Sequence, residues 1–399
     1  MNNKHFLAIL AILCIPLSGF CIDIYVPSLP AIAIYFHADH AHVQLTITSY
    51  LIGLGLSQLI AGGISDSYGR KTPFMIAMLA FMIATLTITQ VTTIMNLIFL
   101  RFVQGVALGI SVVPMRSVLF DLFEGPDLRK MAGYMTMAWS LGPIIAPVLG
   151  GYLQVYLGWK FSFYFLGIYS IAITLPIAYF LPETIQYRSS FHIKTIISRY
   201  LQMLTNRDYM TGLTINGLIY SCIIVFSTVG PFLIQTTLKY SPIQFGHMVL
   251  LLSLAWFLGT LTNRFIIDVN YFSKILTCLM VMLMMSLILL INALWHLPLY
   301  LSFIPLAILF WVGGIIFPNN FARSISLFPY ATASGNALFG SLIFSIGGLA
   351  SVLASQMKAT SNLSLALLCV SLISLAFVIA LLNLRKSDVA KDLQHDTIH

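Results

Sequence analysis

Two ionisable side chains stand deep inside apolar runs of this 399-residue chain. Asp23 sits in Cys21-Ile22-Asp23-Ile24-Tyr25-Val26-Pro27-Ser28-Leu29-Pro30, and the other acids fall in loops, tails or run ends. Arg101 sits in Leu97-Ile98-Phe99-Leu100-Arg101-Phe102-Val103-Gln104-Gly105 and is the one base so placed. At bilayer depth an ionisable group is costly and normally faces a cavity or a partner. Low dielectric disfavours a charged carboxylate. A carboxyl that exchanges its proton near neutral pH is what proton coupling needs. Arg101 is the natural partner for Asp23, because each offsets the other's desolvation and protonating the acid would release the base. The same attraction favours the charged acid and opposes burial. A helix-packing hydrogen bond or a purely structural ion pair is the alternative.

A third charged cluster lies between two apolar runs, at Gly62-Gly63-Ile64-Ser65-Asp66-Ser67-Tyr68-Gly69-Arg70-Lys71-Thr72-Pro73. Glycines and a proline favour a tight turn there. Arg70 and Lys71 beside an apolar span would hold that turn on the cytoplasmic side of a membrane.

The elements that must position these groups follow from composition. The chain is 59% hydrophobic and 8% charged, whereas a soluble domain is about a quarter charged. The fold class expected is an all-α polytopic membrane protein with twelve transmembrane helices. The spans are placed at 6–30, 43–64, 73–91, 94–116, 131–154, 161–181, 209–235, 243–265, 273–294, 298–320, 329–355 and 362–384. The first run continues past Asp23 to Pro30 without a good cleavage site and reads as a span, not a signal peptide.

Net charge is +8, but the bases sit in loops and form no stripe for nucleic acid. Of 20 Lys and Arg, 16 fall at the termini or in loops of one side, three fall outside these, and Arg101 is within a span. That split predicts both termini in the cytoplasm. The longest loop, 183–208, divides the spans six and six. The expected organisation is an amino-terminal bundle over 1–182, a cytoplasmic linker over 183–208, a second bundle over 209–385 and a tail over 386–399. The halves should be weak repeats: Gly259-Thr260-Leu261-Thr262-Asn263 stands where Gly62-Gly63-Ile64-Ser65-Asp66 would, 197 residues later.

Span 5 carries Gly133, Gly142, Ala146, Pro147, Gly150 and Gly151. Small residues at such spacings let helices approach closely, and Pro147 permits a kink. The five cysteines lie in apolar runs without CxxC spacing, which argues against zinc, disulfides and redox work. His37, His40 and His42 read as a solvated loop and not a metal site. The nine histidines give no hydrolytic constellation, so no enzyme is expected.

Several of these segments resemble the major facilitator superfamily. The 62–73 loop is similar to its second-to-third-span motif, matched at Gly62, Asp66, Gly69, Arg70 and Lys71, with Ser67 where arginine is usual. The Arg101-x-x-Gln104-Gly105 run resembles the fourth-span motif. The span-5 set resembles the antiporter motif, with Ala146 in place of a glycine. The Asp23–Pro30 run, Arg116, Asp121, Leu-Pro-Glu-Thr at 181–184 and Ala-Thr-Ala-Ser at 331–334 are close to the bacterial Bcr/CflA-type drug/proton antiporters. The resemblance implies two six-helix bundles around a cavity in the bacterial inner membrane. It implies proton-driven export of small amphipathic compounds by alternating access, with a proton as the coupling ion and no cofactor.

In that scheme Asp23 and Arg101 couple the proton. Asp66, Gly69, Arg70, Lys71 and Asp121 form the gate, with Arg70 paired to Asp121 and Asp66 set against the start of span 11, near Pro329–Gly335. Spans 1, 4, 7 and 10 line the cavity and offer Tyr25, Met115, Asn216, Tyr220, Phe226, Trp311 and Asn319 to substrate. Such aromatic and soft side chains suit apolar or cationic ligands. A monomer with a small-molecule substrate in a lipid bilayer is expected, without nucleic acid. Export of one native metabolite is the alternative function, and proton-coupled import the third.

Overall fold

A computed structural model describes residues 3–185, 193–266, 268–328, 331–357 and 361–396. Helices account for nearly all of it, because apolar chain in lipid must satisfy its own backbone. The first crossing is built from pieces: α1 (Asn3–Cys14), α2 (Leu17–Asp23), a 3-10 turn (Val26–Ser28) and α3 (Leu29–Tyr35). It is followed by α4 (His40–Tyr68), α5 (Lys71–Ile88), α6 (Ile94–Leu122), α7 (Gly125–Tyr156) and α8 (Lys160–Phe180). A short helix, α9 (Ile193–Thr205), precedes the second set. That set comprises α10 (Arg207–Phe232, extended by a π turn over Leu233–Thr237), α11 (Pro242–Phe265), α12 (Tyr271–Leu294), α13 (Leu299–Ser326), α14 (Thr332–Ser355) and α15 (Asn362–Asp396).

Eleven of the described crossings are long and apolar enough to span a bilayer. The twelfth, α7, is 32 residues long, and among the described residues Leu141–Tyr156 forms an apolar stretch of it. The order is therefore six crossings, a linker and six crossings. The face carrying the α4–α5 connection is called the loop face below, and the opposite one the far face.

Helices overrun the expected spans at the loop face. Hydropathy marks where lipid ends, whereas helical hydrogen bonding continues until a residue breaks it. The loop expected at 62–73 shrinks to Gly69 and Arg70, since α4 runs to Tyr68 and α5 starts at Lys71. Gly69 supplies the break, with φ of +93°, a conformation that glycine adopts without strain. Arg116 and Asp121 belong to α6 for the same reason.

Within the first bundle, α4 and α6 pack closely. A Cβ on Gly105 would collide with the Tyr50 carbonyl, while Gly62 has no atom within 4 Å of where its Cβ would lie. Gly105→Leu should therefore overpack this seam and cost about 1–3 kcal/mol. Gly62→Ala should be neutral or stabilising by up to ~1 kcal/mol through helix propensity. Thermal unfolding in detergent, read by tryptophan fluorescence, checks the pair. Equal midpoints for the two variants would show that close approach does not hold this seam.

Candidate functional site

The centre of the first bundle is the break between α2 and α3. Pro27 and Pro30 have no N–H, so the carbonyls of Asp23 and Val26 have no helical donor four residues on. The Val26 carbonyl takes the Leu29 N–H instead, and other carbonyls along the break take donors from elsewhere. Ile24 N–H still reaches the Phe20 carbonyl at 3.0 Å, and Ser28 N–H reaches Tyr25 at 2.9 Å. The Ser162 hydroxyl of α8 donates to the Ile24 carbonyl at 3.3 Å. The Gln235 amide, from the π turn after α10, donates to the Pro27 carbonyl at 2.9 Å.

Arg101 takes the Cys21 carbonyl. Its Nη2 donates there at 2.9 Å, and Nη1 donates to Cys21 Sγ at 3.2 Å and to Gln104 Oε1 at 2.9 Å. Gln104 in turn donates to Thr85 Oγ1 on α5 at 2.7 Å. The guanidinium lies 4.6 Å from the Tyr25 ring centroid and 4.5 Å from that of Tyr50. Arg101 is fully buried. Two aromatic faces and an oriented carbonyl carry its charge in place of a carboxylate.

That arrangement corrects the expected ion pair. Among the described residues Arg101 has no acidic partner and Asp23 has no cation. The two leave neighbouring turns in different directions, and Arg101 serves the backbone of the break instead. Asp23 is half-buried at the end of α2. Tyr220 of α10 lies within electrostatic reach of it.

The small residues of α7 divide between two neighbours. A Cβ on Gly142 would touch Gly19 at 3.5 Å, and one on Gly150 would collide with the Ile24 carbonyl, both on the broken helix. Gly151 instead packs on Pro242 and Ile243, and the Pro147 carbonyl receives Gly246, all at α11 of the second bundle. One helix therefore fixes the break and seals the bundles together. Gly133 lies on the same helix, and its surroundings fall outside the described residues.

At the loop face Arg70 Nε donates to Asp121 Oδ2 at 3.0 Å, and its Nη1 donates to Asp66 and to Ser65. Burial opposes the charge on Arg70, but hydrogen bonds to Asp121 and Asp66 outweigh it and hold the guanidinium above its ordinary range. Three members of this network, Ser65, Glu183 and Thr184, went unread as site residues in the sequence. Glu183 Oε1 accepts from Arg70 N–H at 2.8 Å, and its Oε2 from Lys71 N–H at 3.4 Å. A carboxylate at the first turn of α5 is favoured by the helix dipole. It lies against Gly69, which has no side chain to exclude it. Thr184 donates to Asp121 at 2.7 Å. The readable signal was two polar residues at the end of an apolar run. Among the described residues Asp66 bonds Arg70 and not the start of span 11; of the expected segment Pro329–Gly335, Pro329 and Tyr330 lie outside the described residues.

The seven cavity candidates separate. Tyr25, Met115 and Phe226 are enclosed by protein. Tyr25 stacks on Arg101 and bonds Thr46, and Phe226 packs on Phe245 and Phe310. Asn216 is buried and donates to the Phe317 carbonyl at 2.9 Å. Trp311 donates to Thr262 at 3.2 Å, and Asn319 to Asn263. Each of these six is enclosed or hydrogen-bonded in the structure, with Trp311 still 37% exposed. Tyr220, half-buried and edge-on to Phe344, keeps its place beside Asp23.

Residues 11–352 match the family profile described as Major Facilitator Superfamily. The chain belongs to this superfamily. It is 27% identical over 349 residues to a bicyclomycin resistance protein homolog of Haemophilus influenzae, covering 86% of this chain and 87% of the relative. It is 26% identical to multidrug resistance protein D of Escherichia coli, over 95% of each. Among solved structures, a bacterial homolog of the human lysosomal transporter Spinster, inward-facing and occupied, superposes with a TM-score of 0.76 at 12% identity, over 96% of this chain and 97% of that one. A D-xylose-proton symporter superposes at 0.70 and 14% identity, over 93% and 96%. The superfamily fold of two six-helix bundles is thus shared, and the protein is a multi-pass membrane transporter.

Arg101→Ala should destabilise the protein by about 1–3 kcal/mol, because a buried carbonyl loses its donor. Asp23→Asn should leave the unfolding midpoint nearly unchanged. Thermal melts of the purified variants check this. A loss at Asp23 as large as at Arg101 would make the acid structural.

Proposed function

We propose that this chain is a proton-driven exporter of small amphipathic compounds, working by alternating access. The observation that carries the reading is Asp23. An acid without a cationic partner among the described residues stands at the break of a membrane helix, and a broken helix is where transporters place their sites. Asp23 is the proton carrier, and Tyr220 faces it from the other bundle. Arg101 holds the break in shape and needs no titration of its own. The names of the relatives, a bicyclomycin resistance homolog and a multidrug resistance protein, support drugs as substrates and efflux as direction.

In this reading the loop face is cytoplasmic, both termini lie there, and the membrane is the bacterial inner membrane. The protein works as a monomer, with no cofactor beyond the coupling proton and no catalysis. Bonds between the bundles support an inward-open state. The Gln44 amide donates to the Thr228 carbonyl at 2.9 Å, Thr48 donates to Ser351 at 2.8 Å, and Gln235 donates to Pro27. His40 stacks on Phe232 at 4.3 Å. All lie toward the far face. The Asp66–Arg70–Asp121–Thr184 network braces the first bundle at the loop face, where opening occurs.

Asp23→Asn should abolish uptake of a fluorescent amphipathic cation into everted vesicles under an imposed pH gradient. Undiminished uptake would move coupling to another residue.

Glu183→Gln and Asp121→Asn should slow turnover at least about tenfold while leaving equilibrium substrate affinity within about twofold, since they stand at the gate and not the site. Counterflow rates set beside binding titrations in detergent test this. Collapse of affinity with unchanged turnover would remove the gate.

A further inference from the structure

The linker helix α9 shows two adjacent apolar stripes, and only one of them is occupied. Ile196, Tyr200 and Met203 turn toward the bundles. Met203 is buried with Tyr209, Phe328, Leu338 and Phe339 of the second bundle. The Tyr200 hydroxyl donates to the Leu59 carbonyl of α4, in the first bundle, at 2.8 Å. Ile197, Leu201 and Leu204 form the next stripe, one position on. They are 50%, 56% and 40% exposed. Positions i, i+4 and i+7 share a helix face, so the exposure is continuous. Lys194 borders that stripe and is exposed, whereas Arg199 lies on the far side of the helix, beyond Met203.

The level of the helix is fixed by its neighbours. α9 enters α10 through Asn206, and it packs near Gly335 at the start of α14. Arg207 ties this junction to the Leu382 carbonyl and to Asn383 of α15. At the same face, α8 ends in Tyr179 and Phe180, which are 83% and 51% exposed, as aromatic side chains are at a membrane–water boundary. A helix at that boundary, apolar on one exposed stripe with Lys194 at its edge, matches an anionic bilayer surface in both polarity and charge.

We infer that α9 docks on the anionic surface of the loop-face leaflet. Ile197, Leu201 and Leu204 enter the acyl boundary, and Lys194 meets lipid phosphates. The partner is the protein's own membrane. Because the occupied stripe touches Leu59 of one bundle and Met203's neighbours in the other, the lipid-held helix is a strap across both bundles.

The test uses the full-length protein carrying Leu201→Cys or, as control, Gln202→Cys, since all five native cysteines are buried. Each new thiol carries a nitroxide. The protein is reconstituted in phosphatidylcholine alone or with added phosphatidylglycerol. The Leu201 label should be more accessible to oxygen than to a water-soluble nickel relaxant, with the reverse at Gln202. Phosphatidylglycerol should raise the oxygen-to-nickel ratio at Leu201 by at least about twofold, and Lys194→Gln should erase that rise while Arg199→Gln, on the other side of the helix, should not. Water-like accessibility at both positions overturns the docking. Immersion that ignores phosphatidylglycerol overturns the anionic partner. Spin–spin broadening that grows with protein density assigns the stripe to a second copy and overturns the bilayer as its occupant.

Discussion

A backbone carbonyl freed inside a bilayer has no water to turn to. The arrangement of this protein depends on how that constraint is met at the break between α2 and α3. Two prolines interrupt the helix, and donors arrive from α6, α8 and the turn after α10. Arg101 is explained by this demand. A fully buried guanidinium would be costly on its own, yet one that fills a carbonyl, a thiol and two ring faces is well housed. Once the break is stabilised by other groups, Asp23 at its edge is left without a cationic partner among the described residues.

The break also sets the demands on α7. Its small residues let the chain at Gly19 and Ile24 come close on one side and α11 come close on the other. The span-5 pattern therefore reads as one helix serving two contacts, within a bundle and between bundles. At the far face the bundles meet through amides, hydroxyls and a stacked pair, all neutral or weakly charged. At the loop face the first bundle is braced by full charges. Neutral bonds can exchange as the bundles rock, while the charged brace keeps one bundle rigid.

Much of this was legible in the sequence. Six and six crossings followed from apolar runs and the placement of bases, and the loop motif identified Arg70 and Asp121 as partners. The Asp23–Arg101 pair was not realised, because opposite charges in adjacent spans are an argument about cost, not direction. Only geometry shows that Arg101 turns to Cys21. Glu183 escaped for a related reason: it lies 113 residues from the backbone N–H it serves, and no local pattern announces such a partner. Substrate candidates were the least readable. In a chain this apolar, an aromatic residue that packs and one that binds carry the same letter, and burial separates Phe226 from Tyr220.

The Glu183 contact has a consequence for biosynthesis. The start of α5 holds backbone donors whose acceptor follows α8, so they wait through three further crossings of chain. A ribosome feeds residues in order, and domains form as their last segments emerge. Until Glu183 emerges, the seam between the second and third crossings has an unfilled anion seat beside Arg70. Its arrival closes the first bundle as a finished unit, before α10 begins. The carboxylate is then a completion mark, by which a half-made transporter differs chemically from a whole first half.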